Sequence, residues 1–331
     1  MFIIESYPLA VAFCIATMLA WGSWANTQKL ASPRWRFELY YWDYVFGIVL
    51  FSLLFALSAG SVGSGGRPFL EDLAQAGAPY IGSALWGGVL FNAANILLVA
   101  AITIAGMSVA FPVGIGLALV IGVIVNYLDA PLGNPIILFG GVALIVIAML
   151  LNARAYQRLS ASQQKIPTKG LLLAVVAGAL MGLFYKYVAN AMFPVFSEPE
   201  AGKLSPYSAV FLFTLGILGS NFLFNTLLMK TPLEGQPLQI KDYFKGNRKD
   251  HLMGLLGGVI WCVGMSFSIL ASDKAGPAIS YGLGQGATVV AALWGIFVWK
   301  EFREAPKGVH SMLHIMLLVY VAGLTLIVAA R

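Results

Sequence analysis

The sequence predicts an all-α polytopic membrane protein of ten transmembrane helices, built as two inverted five-helix repeats. Three observations carry this. Of the 331 residues, 59% are hydrophobic and only 10% charged, and the mean hydropathy is +0.83; a soluble domain carries about a quarter charged residues. The apolar runs are long enough to cross a bilayer and lack the alternation of barrel strands, so the need to satisfy backbone polar groups inside hydrocarbon makes them helices. Finally, the chain repeats itself. A shift of 170 residues lays Gly106 on Gly276, Gly114 on Gly284 and Gly116 on Gly286, and upstream it lays Gly87-Gly88-Val89 on Gly257-Gly258-Val259.

In chain order, the first span covers residues 8–28 and is read as an uncleaved helix, since no small-residue cleavage site precedes a soluble domain. Further spans fall at 39–59, 79–101, 104–127, 134–153, 170–192, 206–229, 252–272, 277–299 and 310–330. Each is about 20 residues, which at ~1.5 Å per residue crosses a ~30 Å core. Spans four and nine contain Gly or Pro where a spanning helix should be continuous, and paired interrupted segments in corresponding halves point to a transporter's substrate site. The polar stretch 154–169 divides the chain into a first repeat, 1–153, and a second, 170–331, and is read as a cytoplasmic linker.

The loops supply an orientation. Of the 20 Lys and Arg residues, 15 fall in alternate loops on one side, among them Lys29, Arg36, Lys241 and Lys300, against Arg67, Lys203, Lys274 and Arg331 on the other. The basic side is therefore expected in the cytoplasm of a cell-membrane protein with both termini outside. Five spans per repeat is an odd number, so the second repeat is inverted relative to the first. This placement of the basic residues accounts for the formal charge of +6 without nucleic acid.

The remaining residue patterns exclude other chemistry. The two cysteines, Cys14 and Cys262, lie inside apolar runs and imply neither a disulfide framework nor a thiolate metal site. Gly282-Leu-Gly-Gln-Gly follows no strand and lacks the Lys-Ser/Thr of a phosphate loop, and His310 and His314 have no third ligand. No cofactor or metal is expected.

Ionisable residues within spans are candidates for function by default. Lys186 in span six either snorkels to the headgroups or donates to a substrate or pairs with a carboxylate. Asp43 in span two is either an acid at a helix N-terminus or an intramembrane proton site. For a neutral solute the amides and hydroxyls matter equally: Asn92 and Asn95 in span three, Asn126 in span four, Asn221 and Asn225 in span seven, and Tyr281, Gln285 and Thr288 in span nine. Gln285 leads, because Gly284 and Gly286 on either side permit close approach of ligand and backbone. Trp21 and Trp24, with Phe184 at a similar place in span six, offer stacking surfaces for a planar ring; helix packing or an interfacial belt are the ordinary uses of such residues.

Several stretches then carry a resemblance. Glu5-Ser6, Tyr41-Trp-Asp-Tyr44, Asn126-Tyr-Leu-Asp129, Ile137-Leu-Phe-Gly-Gly-Val142, Lys241-Asp-Tyr-Phe-Lys245 and Trp294-Gly-Ile-Phe-Val-Trp-Lys-Glu-Phe302 keep their order over almost the whole chain. With ten spans in two inverted halves, the sequence resembles the drug/metabolite transporter superfamily and, within it, the ureide permeases. The resemblance implies proton-coupled uptake of allantoin-like ureides and oxo-pyrimidines such as uracil. Plant ureide permeases have a long loop between the halves where this chain is short, so the sequence is also similar to the glucose/ribose and rhamnose porters.

The expectation is a secondary active transporter, not an enzyme, for a small neutral polar solute, with the proton as coupling ion. Spans one, three, four, six, eight and nine should surround a site near the bilayer midplane and rock to expose it alternately. A proton-coupled sugar transporter is the alternative. A membrane-embedded enzyme would need acids, histidines or metal ligands clustered at one face, and these are scattered.

Overall fold

The computed structural model describes residues 1–159, 167–233 and 235–331. Among the described residues ten helices are long and apolar enough to cross a membrane: Tyr7–Leu30, Phe37–Leu57, Ala78–Ala105, Met107–Asp129, Pro135–Leu159, Thr168–Ala191, Pro206–Lys230, Arg248–Ala275, Pro277–Val298 and Val309–Ala329. They are spans one to ten, and no strand occurs among the described residues. The protein is a multi-pass membrane protein. Span five runs on to Leu159, so residues 154–159 of the expected linker are helical, and residues 160–166 of it lie outside the described residues.

Proline starts and glycine stops set the boundaries. Spans one, three, seven and nine each have Pro in their first two positions, where the missing N–H has no intrahelical partner to lose. Spans three and eight, 28 residues each, end on Gly106 and Gly276, with φ of +80° and +83° and ψ of 155° and 149°. A side chain is strained at that φ, and the glycines let the chain reverse within one residue into spans four and nine. The two copies of the repeat thus share one hinge.

The two spans after these hinges differ. Span nine breaks after Gly284, passes through Gln285 and Gly286, resumes as Ala287–Leu293 and ends in a π-helical turn over Trp294–Val298. Span four, expected to break likewise, is one helix with Pro112 inside it. Its backbone is clasped by span six: a Cβ on Gly178 would lie 2.5 Å from the Gly114 carbonyl, and one on Gly182 3.1 Å from that of Ala118.

Packing is preserved when the two halves are exchanged. Span three packs on spans six and seven, and span eight on spans one and two; span four packs on span six, and span nine on span one. Spans two and seven pack on each other, as do five and ten. Single glycines repeat the pattern. A Cβ on Gly88 would stand 2.0 Å from the Phe213 carbonyl and one on Gly258 1.9 Å from that of Tyr44; Gly216 meets the Leu85 carbonyl at 2.1 Å and Gly47 that of Leu255 at 2.2 Å. Small residues that let backbones touch are how helices associate where lipid removes any hydrophobic drive. The arrangement is compatible with an inverted repeat.

Candidate functional site

The six spans one, three, four, six, eight and nine enclose a chamber of about 120 Å³ in the middle of the bundle. Its wall is aromatic, with Trp21 and Trp24 from span one, Phe91 from span three, Phe111 from span four, Phe184 from span six and Trp261 from span eight. Trp21 and Trp261 lie nearly parallel, 15° apart with centroids at 6.0 Å, and Phe91 sits 4.4 Å from Trp261. Trp21 Nε1 donates to the Trp261 carbonyl at 3.1 Å, which fixes one edge of this wall.

Lining residues come in pairs related by the repeat. Phe91 and Trp261 are 170 residues apart, as are Ile115 and Gln285; Trp24 and Phe184 are 160 apart, the shift that also relates Gly22 to Gly182. The chamber therefore lies where the two halves meet. At one of these pairs the symmetry is broken chemically, an isoleucine on span four facing a glutamine on span nine.

Of the residues singled out in the sequence, Trp21, Trp24, Asn95, Phe184, Gln285 and Thr288 line this chamber. Gln285 occupies the break of span nine at 7% exposure, and its carboxamide makes no hydrogen bond to any described residue. Thr288 Oγ1 donates back to the Gln285 carbonyl at 3.1 Å. Asn95 donates to the Tyr41 hydroxyl at 3.1 Å.

The other candidates lie elsewhere. Tyr281 is fully buried behind the chamber, its hydroxyl donating to the Ala118 and Met181 carbonyls at 3.2 and 3.1 Å. Asn92 is buried one turn from Asn95, between Tyr41 and Ser220. Asn126 bonds the carbonyl of Gly122 in its own helix, and Asn225 that of Glu38. Lys186 is at the end of the bundle away from the basic loops, paired with Asp129 at 3.0 Å, while Asn190 donates to the other carboxylate oxygen at 3.0 Å.

Asp43 lies towards the basic end and has partners that the sequence does not suggest. His251 Nδ1 of span eight stands 2.9 Å from Asp43 Oδ2, and the Tyr243 hydroxyl donates to Oδ1 at 2.5 Å. Trp35 closes the cluster over the imidazole, with ring centroids 4.9 Å apart. Asp43 is buried and His251 is partly exposed. Tyr243 belongs to the short helix before span eight; burial and then the Asp43 carboxylate push its phenol above the usual range, so it stays a proton donor.

The chamber continues towards the basic end into a vestibule of about 220 Å³ that shares Trp21, Trp24, Phe111, Thr288 and Ala291 with it. At the far wall of the vestibule Lys29 pairs with Glu301 at 3.0 Å, Tyr156 donates to the same carboxylate at 2.8 Å, and Trp299 Nε1 donates to Asn26 at 2.6 Å. The opposite end holds a larger cavity, about 510 Å³, lined by Asp129, Lys203 and Asp273 among others and sharing no residue with the chamber. Between the two lie the buried rings of Tyr185 and Tyr281, with centroids 5.2 Å apart. Tyr185 is tied to span eight and to Ser280 of span nine through its hydroxyl.

One polar bridge at each end has its counterpart at the other through the repeat. Asn26 and Trp299 become Lys186 and Asp129 under the shifts of 160 and 170 residues that relate span one to six and span four to nine.

The model of the family described as ureide permease matches residues 40–169 and 158–330, two segments that meet at the connection between the halves. Ureide permease 1 of Arabidopsis thaliana is 22% identical over 386 aligned positions covering 100% of this chain and 99% of the relative. Ureide permease 2 of the same plant is 23% identical over 399 positions with the same coverage. A solved crystal structure with 15% identity superposes at a TM-score of 0.61 over 96% of both chains, a likeness of fold. Family matches on both sides of the central connection, together with relatives aligned from end to end, assign this ten-span chain to the ureide permease family.

Proposed function

We propose that the protein is a secondary transporter of small, neutral, planar solutes rich in amide groups, ureides such as allantoin or oxo-pyrimidines such as uracil. The observation that carries this is the Gln285 carboxamide, unpaired at a helix break and facing an aromatic chamber. An amide both donates and accepts, as a ureide or lactam edge requires, and an aromatic wall suits a flat ligand. The names of the family relatives support the same class of solute.

Transport then follows from two halves rocking about the chamber. The Tyr185–Tyr281 layer closes it from the large cavity, while the vestibule extends towards the basic end. The bridges at the two ends act as alternating latches. Lys186–Asp129 and Lys29–Glu301 are both partly exposed, and pairs of that kind contribute about 0–1 kcal/mol. That is little enough to break and remake in each cycle. The basic end faces the cytoplasm of the cell membrane, both termini lie outside, and protons drive uptake through Asp43 with His251 as its partner.

Thermal unfolding of the purified protein with allantoin, uracil, glucose and ribose side by side tests the substrate class, since a ligand that prefers the folded state raises its stability. Stabilisation by allantoin or uracil and not by the sugars is expected, and the reverse overturns the reading. Gln285→Ala is expected to weaken binding about tenfold, the loss of one or two neutral hydrogen bonds, with unfolding unchanged in the absence of ligand. Unaltered affinity removes Gln285 from the site.

A further inference from the structure

We infer that Asn95 is a specificity-determining residue that accepts a hydrogen bond from an N–H of the solute, and that Tyr41 is the positioning residue that turns its oxygen into the chamber. The inference rests on the substrate reading above and deepens it.

The direction of every hydrogen bond behind Asn95 is fixed from the far end. Ser220 Oγ donates its only proton to the backbone carbonyls of its own helix, Gly216 at 2.8 Å and Ile217 at 3.1 Å, and a carbonyl can only accept. Ser220 is thereby an acceptor towards Asn92, whose Nδ2 donates to it at 2.9 Å and also points at the Ile217 carbonyl at 3.3 Å. Two acceptors on one side leave the Asn92 oxygen on the other, where it takes the Tyr41 proton at 2.9 Å. With its proton spent, the Tyr41 oxygen can only accept, and Asn95 Nδ2 supplies the bond at 3.1 Å. The orientation of both amides thus follows from backbone carbonyls and not from a choice between oxygen and nitrogen.

What remains is Asn95 Oδ1, which bonds no described residue, on a side chain that lines the chamber. Tyr41 and Asn92 are fully buried on spans two and three, so water does not compete at these two members of the relay. Reversing the asparagine would set its oxygen against an acceptor-only phenol and leave that group unsatisfied, at a cost of about 1–3 kcal/mol. Gln285 has no such constraint and can present either end. The chamber therefore holds one directed acceptor beside one adaptable amide, and a solute must bring a donor to the first.

The test is competition of unlabelled uracil, 1-methyluracil and 3-methyluracil against radiolabelled uracil on the purified full-length chain. Wild type is expected to prefer uracil over at least one methylated analogue by about tenfold, the worth of one hydrogen bond with its desolvation. Tyr41→Phe and Asn95→Ala are each expected to bring that ratio towards one. A change that merely loosened the fold would lower all three affinities together and leave the ratio alone. Wild type that does not discriminate, or variants that keep its ratio, overturn the inference and leave the substrate class standing. Binding of neither uracil nor allantoin by wild type overturns both. If Tyr41→Phe does not fold, Asn95→Ala on the chamber wall reads the same ratio.

Discussion

Asp43→Asn is expected to abolish accumulation of substrate against a gradient while exchange between equal pools continues. Asparagine fills the same volume and still accepts from Tyr243, so the contacts of spans two and eight survive. It cannot take up and release a proton, nor offer a carboxylate to His251 Nδ1, which stands 2.9 Å from Asp43 Oδ2. Exchange needs only the rocking of the loaded protein, whereas accumulation needs a charge that titrates once per cycle. Uptake into vesicles with and without an imposed pH gradient separates the two. Accumulation at the wild-type level would remove Asp43 from the coupling path. His251→Gln is expected to shift the pH dependence of accumulation, because it changes the partner of the carboxylate and not the carboxylate itself.

Gly258→Leu and Gly88→Leu are expected to destabilise the protein severely and to similar extents. Even a Cβ at these positions would stand about 2 Å from a backbone carbonyl of the facing span, so spans two and eight, or seven and three, must move apart. Overpacking of this kind costs about 1–3 kcal/mol or more. A Cβ on Gly219 would meet nothing within 4 Å, so Gly219→Ala should cost nothing and gain up to about 1 kcal/mol of helix propensity. Thermal unfolding in detergent compares all three. A large loss at Gly258 with none at Gly88 would contradict the exchange symmetry of the packing. Gly254 also packs against the Cβ of Asp43, so the stripe that holds spans two and eight together also holds the proton-site candidate in place.

Much of this architecture can be read from the chain. The ten spans follow from apolar length, and the hinge glycines from the repeat at Gly106 and Gly276. Gln285 is legible because a polar residue between two glycines inside an apolar run has no packing reason to be there. Trp261 is not singled out by its own surroundings, although the repeat points to it: it stands 170 residues after Phe91, and both line the chamber. The break expected in span four is absent, because Gly114 reads as a breaker in sequence and serves in space as a contact for span six. Partners distant in the chain are not legible at all. Nothing local announces that His251 meets Asp43, that Asp129 takes Lys186, or that Tyr41 orders two asparagines of another span. Tyr281 and Asn92 illustrate the same limit, since a polar residue on a span has the same one-dimensional signature whether it faces a chamber or the helix behind it.

The claim on which the account depends is that the solute sits in the small chamber between the halves and not in the larger cavity at the end away from the basic loops. A structure of the protein with allantoin or uracil bound measures this directly. The account predicts ligand density beside Gln285 and Asn95, flanked by Trp24 and Trp261. Density confined to the cavity lined by Asp129, Lys203 and Asp273, with the chamber unchanged, would contradict it.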